Sequence, residues 1–157
     1  MGRREEIDLS LPADVKYASV LGAVLTAMFE EDSAEAYNIQ LAVHELFTNI
    51  VEHGHGHNSS HLVTCHLIWE PNRNAFTAVL QDSAPPFSPR QTGWDQAESY
   101  WETAVTPQGH RYTLKDVPEP DLLQVRGRGL FLIRQLMSHI TCQTTATGNK
   151  WTLSKTV

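Results

Sequence analysis

Three stretches of this chain carry residue types suited to chemistry. In the first, AYNIQLAVHELFTNIVEH from Ala36 to His53, Glu45 and Asn49 lie four residues apart. On a helix that spacing stacks the two side chains one turn from each other. They border the apolar stripe of Ile39, Val43, Leu46 and Ile50, widened by Ala42, Phe47 and Val51, so a carboxylate and an amide stand at the lip of a core. The second stretch is Gln81-Asp82-Ser83-Ala84-Pro85-Pro86-Phe87, an aspartate at the end of an apolar strand. Its carboxylate either caps a turn or sits at the floor of a pocket, where it accepts a hydrogen bond from an exocyclic amine such as adenine N6. The third runs from Arg126 through Gly127, Arg128, Gly129 and Leu130 to Met137. Two glycines just before an amphipathic helix let backbone N–H groups approach a phosphate at the helix's positive end. Each stretch alone also has a plain reading: a surface Glu–Asn pair, a turn-capping aspartate, a lone G-x-G. The third is neither a Walker A loop nor a Rossmann fingerprint, for it has no Gly-Lys-Ser/Thr and no strand leading directly into it.

The elements that must position these residues follow from pattern. Ile7, Leu9 and Leu11 alternate with polar residues as a first strand that Pro12 closes. Asp14 is placed to cap a helix to about Phe29, with Tyr17, Val20, Leu21, Val24, Leu25 and Met28 as its apolar face. Glu30, Glu31 and Asp32 break that pattern, Ser33 caps the central helix, Glu35 suits its dipole, and Gly54 ends it. Leu62 to Glu70 and Ala75 to Asp82 read as a hairpin turned by Pro71-Asn72-Arg73-Asn74. Residues 88–124 carry Pro89, Gly93, Pro107, Gly109, Pro118 and Pro120, and only Trp94 to Thr103 reads as a short helix. A connection of this length predicts a lid or binding loop whose Trp94, Tyr100, Trp101 and Tyr112 either pack on the domain or present a docking surface. Leu130, Ile133, Leu136 and Met137 give the last helix its inner face, and strands over Ile140 to Thr147 and Lys150 to Lys155 meet at Gly148-Asn149.

Composition bounds the function. At 157 residues the chain reads as one domain with room for a real core, and 41% hydrophobic with 19% charged residues is ordinary for a globular protein. A net charge of −6 without a basic stripe argues against nucleic acid as a direct partner. Cys65 and Cys142 lack metal or redox spacing, and no apolar run is long enough to cross a membrane or serve as a signal core, so a cytoplasmic setting is expected. The histidines of HGHGHNSSH (His53, His55, His57 and His61) stand on glycine-separated loop positions rather than rigid elements, which predicts a mobile polar loop rather than a transition-metal site.

Taken in order, E-x-x-x-N on a helix, D-x-x-x-P-F after a strand, G-x-G-L-x-x-I opening a helix, and a closing hairpin with W-T-L resemble the GHKL (Bergerat) ATP-binding fold. More narrowly, HELFTNIVEH, QDSAPPF and RGRGLFLIRQLM resemble the RsbW/SpoIIAB branch, anti-sigma factors that are also serine-protein kinases. The resemblance spans nearly the whole chain and implies an α/β two-layer sandwich with a mostly antiparallel sheet and helices on one face. It implies ATP and Mg²⁺ as cofactors, with Asn49 holding the metal through its amide oxygen and Glu45 taking the proton of the substrate hydroxyl. It further implies Asp82 as acceptor of adenine N6 with Thr152 supporting the base. Gly127, Gly129 and the helix opening at Leu130 would wrap the phosphates, and Arg126 or Arg128 would offset their charge. Ala84 stands where that branch usually carries glycine, so a methyl group and a reluctance toward positive φ bear on ATP affinity. The implied partners are a STAS-domain anti-anti-sigma protein offering a serine or threonine, a sigma factor or other regulator, and a second copy of the chain. The alternative is a non-catalytic regulator that uses the fold as a protein-docking surface, with nucleotide weakly bound or absent.

Overall fold

The computed structural model describes residues 3–29, 33–54, 60–117, 119 and 127–156. Seven strands form one sheet: β1 (Glu5–Pro12), β2 (Leu62–Glu70), β3 (Ala75–Asp82), β4 (Trp101–Thr106), β5 (Gly109–Leu114), β6 (His139–Thr144) and β7 (Asn149–Thr156). Their spatial order is β1-β2-β3-β7-β6-β5-β4, and every neighbouring pair is antiparallel. Three α-helices, α1 (Ala18–Met28), α2 (Ala34–Asn49) and α3 (Arg128–Leu136), supply the second layer. This is the two-layer α/β sandwich that the motif order implies.

Register explains why one face of the sheet is covered. Residues directly opposite on paired strands share a face. One row runs Ile7, Leu67, Ala78, Leu153, Ile140 and the next Leu9, Cys65, Leu80, Trp151, Cys142, all apolar or thiol. The intervening row, Asp8, His66, Val79, Thr152, Thr141, Thr113, Glu102, is mostly polar and turns the other way. The apolar rows meet Leu21 and Leu25 of α1, Ile39, Val43, Leu46 and Phe47 of α2, and Ile133 of α3 in one continuous core. Burying a side chain such as Leu153, fully enclosed, contributes about 1.5–3 kcal/mol.

The caps work as the sequence predicts, with adjustments. Asp14 accepts from the Lys16 N–H at 3.0 Å, but the turn it caps is a 3₁₀ turn over Val15–Tyr17 that leads into α1. Ser33 accepts from the Ala36 N–H at 3.0 Å and starts α2, with Glu35 in its first turn. Pro12 stays inside β1 as its last residue, which an edge strand tolerates because the missing N–H faces away from the ladder.

Three boundaries depart from expectation. The central helix does not run as α-helix to His53; it ends at Asn49 and passes into a π-helical turn, Ile50–Gly54, of the kind that collects at functional sites. Among the described residues of the 88–124 segment, 88–117 are not a loosely structured lid, and the rest of it lies outside the described residues except 119. Trp101–Thr106 and Gly109–Leu114 form a hairpin that extends the sheet beyond β6, and the predicted helix from Trp94 reduces to a 3₁₀ turn at Ala97–Tyr100. Its aromatics pack inward: Trp101 is buried and sits 5.2 Å from Phe87, 6.4 Å from Tyr112 and 6.5 Å from Trp94, ring centre to ring centre. Finally, Asn149 is not a turn residue but opens β7, opposite Asp82 on one side and Thr144 on the other. Thr145 and Gly148 close that turn, the Thr145 N–H donating to the Gly148 carbonyl at 2.8 Å. No helix among the described residues is long and apolar enough to cross a membrane.

Candidate functional site: a cleft between α2, α3 and the ends of β3 and β7

Asp82 ends β3 on the helix-facing side of the sheet, and its Oδ1 is saturated. It accepts from the Ala84 N–H at 3.0 Å, the Asn149 N–H at 3.2 Å and the Asn149 side-chain amide at 3.0 Å. Three donors on one carboxylate oxygen fix its orientation. Its Oδ2 has no hydrogen-bond partner among the described residues, and Asp82 lines a cleft walled also by Asn49, Ala84, Leu130, Asn149 and Trp151. An acceptor so held, facing a cleft with an aromatic wall, suits a ligand carrying an N–H donor on a flat ring.

Asn49 ends α2 at the opposite wall, where α3 begins. A Cβ built on Gly129 would lie 3.2 Å from both amide atoms of Asn49 and 3.3 Å from Glu45 Oε2. Glu45, Asn49 and the start of α3 therefore meet at one point, where a methyl group would be crowded and the two side-chain ends would have to give by a few tenths of an ångström. Glu45 is half-buried and lies outside the wall of the cleft proper, on the side of the α3 turn. Gly127 precedes α3 with φ 80°, a left-handed backbone that glycine adopts without strain. Any Cβ there would fall 2.0 Å from Trp94 Nε1, so the indole rests directly on the turn. The first N–H groups of an α-helix have no intrahelical acceptor and carry its positive end, and here that end faces the cleft beside Asn49.

Of the residues singled out from the sequence, Glu45, Asn49, Asp82, Ala84, Gly127, Gly129 and Leu130 surround one cleft or its rim. Arg128 is the first residue of α3. Arg126 lies outside the described residues, as do His55 and His57 of the histidine loop. His53 stands in the cleft wall, and no group of three or more His, Cys, Asp or Glu side chains among the described residues is arranged to hold a metal. Thr152 is a correction. Strand alternation puts it on the polar face with Val79 and Thr141, away from the cleft, while its neighbours Trp151 and Leu153 face the helices. The residue that supports Asp82 is Asn149, three positions earlier. A polar residue in phase with Trp151 and Leu153 was the signal for it, masked by assigning Gly148-Asn149 to a turn.

Ala84 lines the cleft in an ordinary backbone conformation. It is buried, its φ is not positive, and its methyl group fills space against Gly54, where a Cβ on the glycine would stand 3.2 Å away. The alanine fits without strain, and its N–H still reaches Asp82. Both cysteines are closed to thiolate chemistry: burial pushes the Cys65 thiol up to about 12, and burial with the neighbouring Asp82 charge pushes Cys142 higher still.

Comparison with known proteins bears directly on this cleft. The model of the histidine kinase-like ATPase domain matches residues 11–155. The chain belongs to that family. Among curated relatives, the serine-protein kinase RsbW of Staphylococcus epidermidis is 28% identical over 141 residues, covering 88% of this chain and 79% of that protein. RsbW of Staphylococcus aureus (strain MSSA476) is 25% identical over 142 residues with the same coverage. In this histidine kinase-like ATPase domain, then, the matched span includes every residue that lines the cleft just described.

Proposed function

We propose that this protein is an ATP-dependent serine/threonine protein kinase that acts as an anti-sigma-type switch, phosphorylating a STAS-domain partner. The observation that carries the reading is the meeting of Glu45, Asn49 and Gly129 at the positive end of α3, opposite an oriented Asp82. Family membership and the serine-protein kinase relatives support it.

Each residue has a task that its chemistry suits. Asp82 Oδ2 accepts the exocyclic amine of adenine, with Trp151 in the adjoining wall. The N–H groups at the start of α3 take the phosphate oxygens, and Gly129 lets them come close. Asn49 offers a hard amide oxygen to Mg²⁺, which when bound would neutralise charge on the phosphates. Glu45, one turn away, accepts the proton of the partner's hydroxyl as its oxygen bonds to the γ-phosphorus and the bond to ADP breaks. Little covalent work falls to the protein; positioning and charge stabilisation suffice. The reading also takes the protein to release or capture a sigma factor as the partner's phosphorylation changes, to work as a homodimer, and to act in the cytoplasm.

The test is transfer of phosphate from Mg·ATP to a STAS-domain protein. Glu45→Gln should keep nucleotide affinity and lose at least about 10²-fold in transfer rate. Undiminished transfer by that variant removes Glu45 as the base, and absence of ATP binding to the wild type removes the kinase reading altogether.

A further inference from the structure

The sheet ends in two edges that the sequence treats differently. On β1, Glu5, Glu6 and Asp8 line the edge with carboxylates and Pro12 closes it, the devices that keep an edge from pairing with another chain. β4 has one charge, Glu102, and no proline, and its register with β5 runs from Trp101↔Leu114 to Thr106↔Gly109 without a bulge. Its Val105 is 82% exposed, more than any other large hydrophobic side chain among the described residues.

Phase decides which backbone groups that edge offers. The Lys115 N–H donates to the Tyr100 carbonyl at 2.8 Å. In an antiparallel ladder every second pair is hydrogen-bonded, so Glu102, Ala104 and Thr106 bond to β5, while the N–H and C=O groups of Thr103 and Val105 point outward. Those four groups have no backbone partner among the described residues. The Trp101 N–H is already used on the Glu98 carbonyl.

The set is self-complementary. About a two-fold axis at Ala104, an antiparallel second copy sets Thr103 opposite Val105 and Val105 opposite Thr103. Each pair exchanges two hydrogen bonds, so all four outward groups are satisfied. Glu102 falls opposite Thr106, so no like charges meet, and Pro107, lacking an N–H, ends the ladder at both extremities. An axis at Thr103 would instead set Val105 against Trp101, whose N–H is not free. We infer that β4 is the surface on which a second copy of this chain docks, edge to edge about Ala104, joining the seven strands of each copy into one continuous sheet. This rests on the homodimer of the proposed function and supplies its surface, independently of the nucleotide cleft. Six residues a side is well under the roughly 20–30 of a standard interface, so the dimer dissociates at concentrations on the order of micromolar.

Sedimentation equilibrium from about 1 to 100 µM should show the wild type passing from one chain mass to two. Val105→Lys and Thr103→Pro alter only groups that point away from β5, so both should fold as the wild type does and associate at least about tenfold more weakly. Ser10→Lys, on β1, should leave association unchanged. Residues facing each other on the axis suit a disulfide, and Cys65 and Cys142 are buried, so oxidised Ala104→Cys should form covalent dimer at least about tenfold faster than Ser10→Cys. A dimer that both β4 variants leave intact, or equal cross-linking at Ala104 and Ser10, overturns the inference and leaves the homodimer standing. A single chain mass across the whole range overturns both.

Discussion

A Cβ on Gly129 would stand 3.2 Å from both the oxygen and the nitrogen of the Asn49 side-chain amide. That apposition, across two helices far apart in sequence, joins the proposed metal ligand to the proposed phosphate turn. Gly129→Ala separates its functional role from its structural one. In a helix, alanine gains about 0.5–1 kcal/mol over glycine, which offsets much of the crowding against two side-chain ends. Urea unfolding should therefore move by about 1 kcal/mol or less, while ATP-dependent transfer falls at least about tenfold through misplaced groups. Full activity in a well-folded Gly129→Ala would mean the close approach is incidental.

Gly127 should respond in the opposite way. Its φ of 80° makes any side chain costly, by about 1–2 kcal/mol, and the Trp94 indole fills the space a methyl would need. Gly127→Ala is expected to lose about 2 kcal/mol or more and to shift tryptophan emission to the red as the ring is pushed into water. In a double-mutant cycle with Trp94→Ala, the two losses should be less than additive, because removing the ring leaves only the backbone cost. Additive losses would show that the indole does not rest on this turn in solution.

How much of this was legible follows from what sequence patterns encode. Period-2 alternation gives β2 and β3 to the residue, since both have one face in the core; Ser33 marks the start of α2 because capping is local chemistry, whereas the change to a π-helical turn after Asn49 leaves no such local mark. The hairpin Trp101–Leu114 carries little apolar periodicity because Glu102 on one face of β4 and Thr103 and Val105 on the other are all exposed, and its turn at Pro107 and Gln108 reads as loop punctuation. Thr152 and Asn149 differ only in strand phase. A one-residue change of phase reverses the face, and phase follows from the pairing of β3 with β7, which no local motif records.

Ala84 tests whether this position's departure from glycine matters. Its backbone is in an ordinary region and its methyl group is buried against Gly54. Ala84→Gly should therefore cost about 0.4–1 kcal/mol in thermal or urea unfolding, mostly through a more flexible unfolded chain. The N–H that holds Asp82 is retained, so nucleotide affinity should change by less than about threefold. A large gain in affinity would instead show that the methyl group obstructs the ligand.

His66 gives the fold a dependence on pH away from the cleft. It sits on the polar face of the sheet, directly opposite Asp8 in register and beside Ile68 and Val79. Its Nδ1 is hydrogen-bonded to Asp8 and its Nε2 lies 3.3 Å from Glu6. The Asp8 hydrogen bond raises the imidazole above its ordinary 6.5, slight burial opposes the rise, and the charges of Asp8 and Glu6 add to it. A raised folded-state value means that the protonated ring is favoured by folding. Its contribution is fully present below 6.5 and is lost as pH rises through the folded value. The stability gap between wild type and His66→Gln should thus be widest near about pH 5.5 and shrink toward about pH 8.5, and about 1 M salt should narrow it at the acid end because the pair is partly exposed. Chemical denaturation at a series of pH values measures it, and a gap that widens on the alkaline side would show that Asp8 and Glu6 do not hold the charged ring.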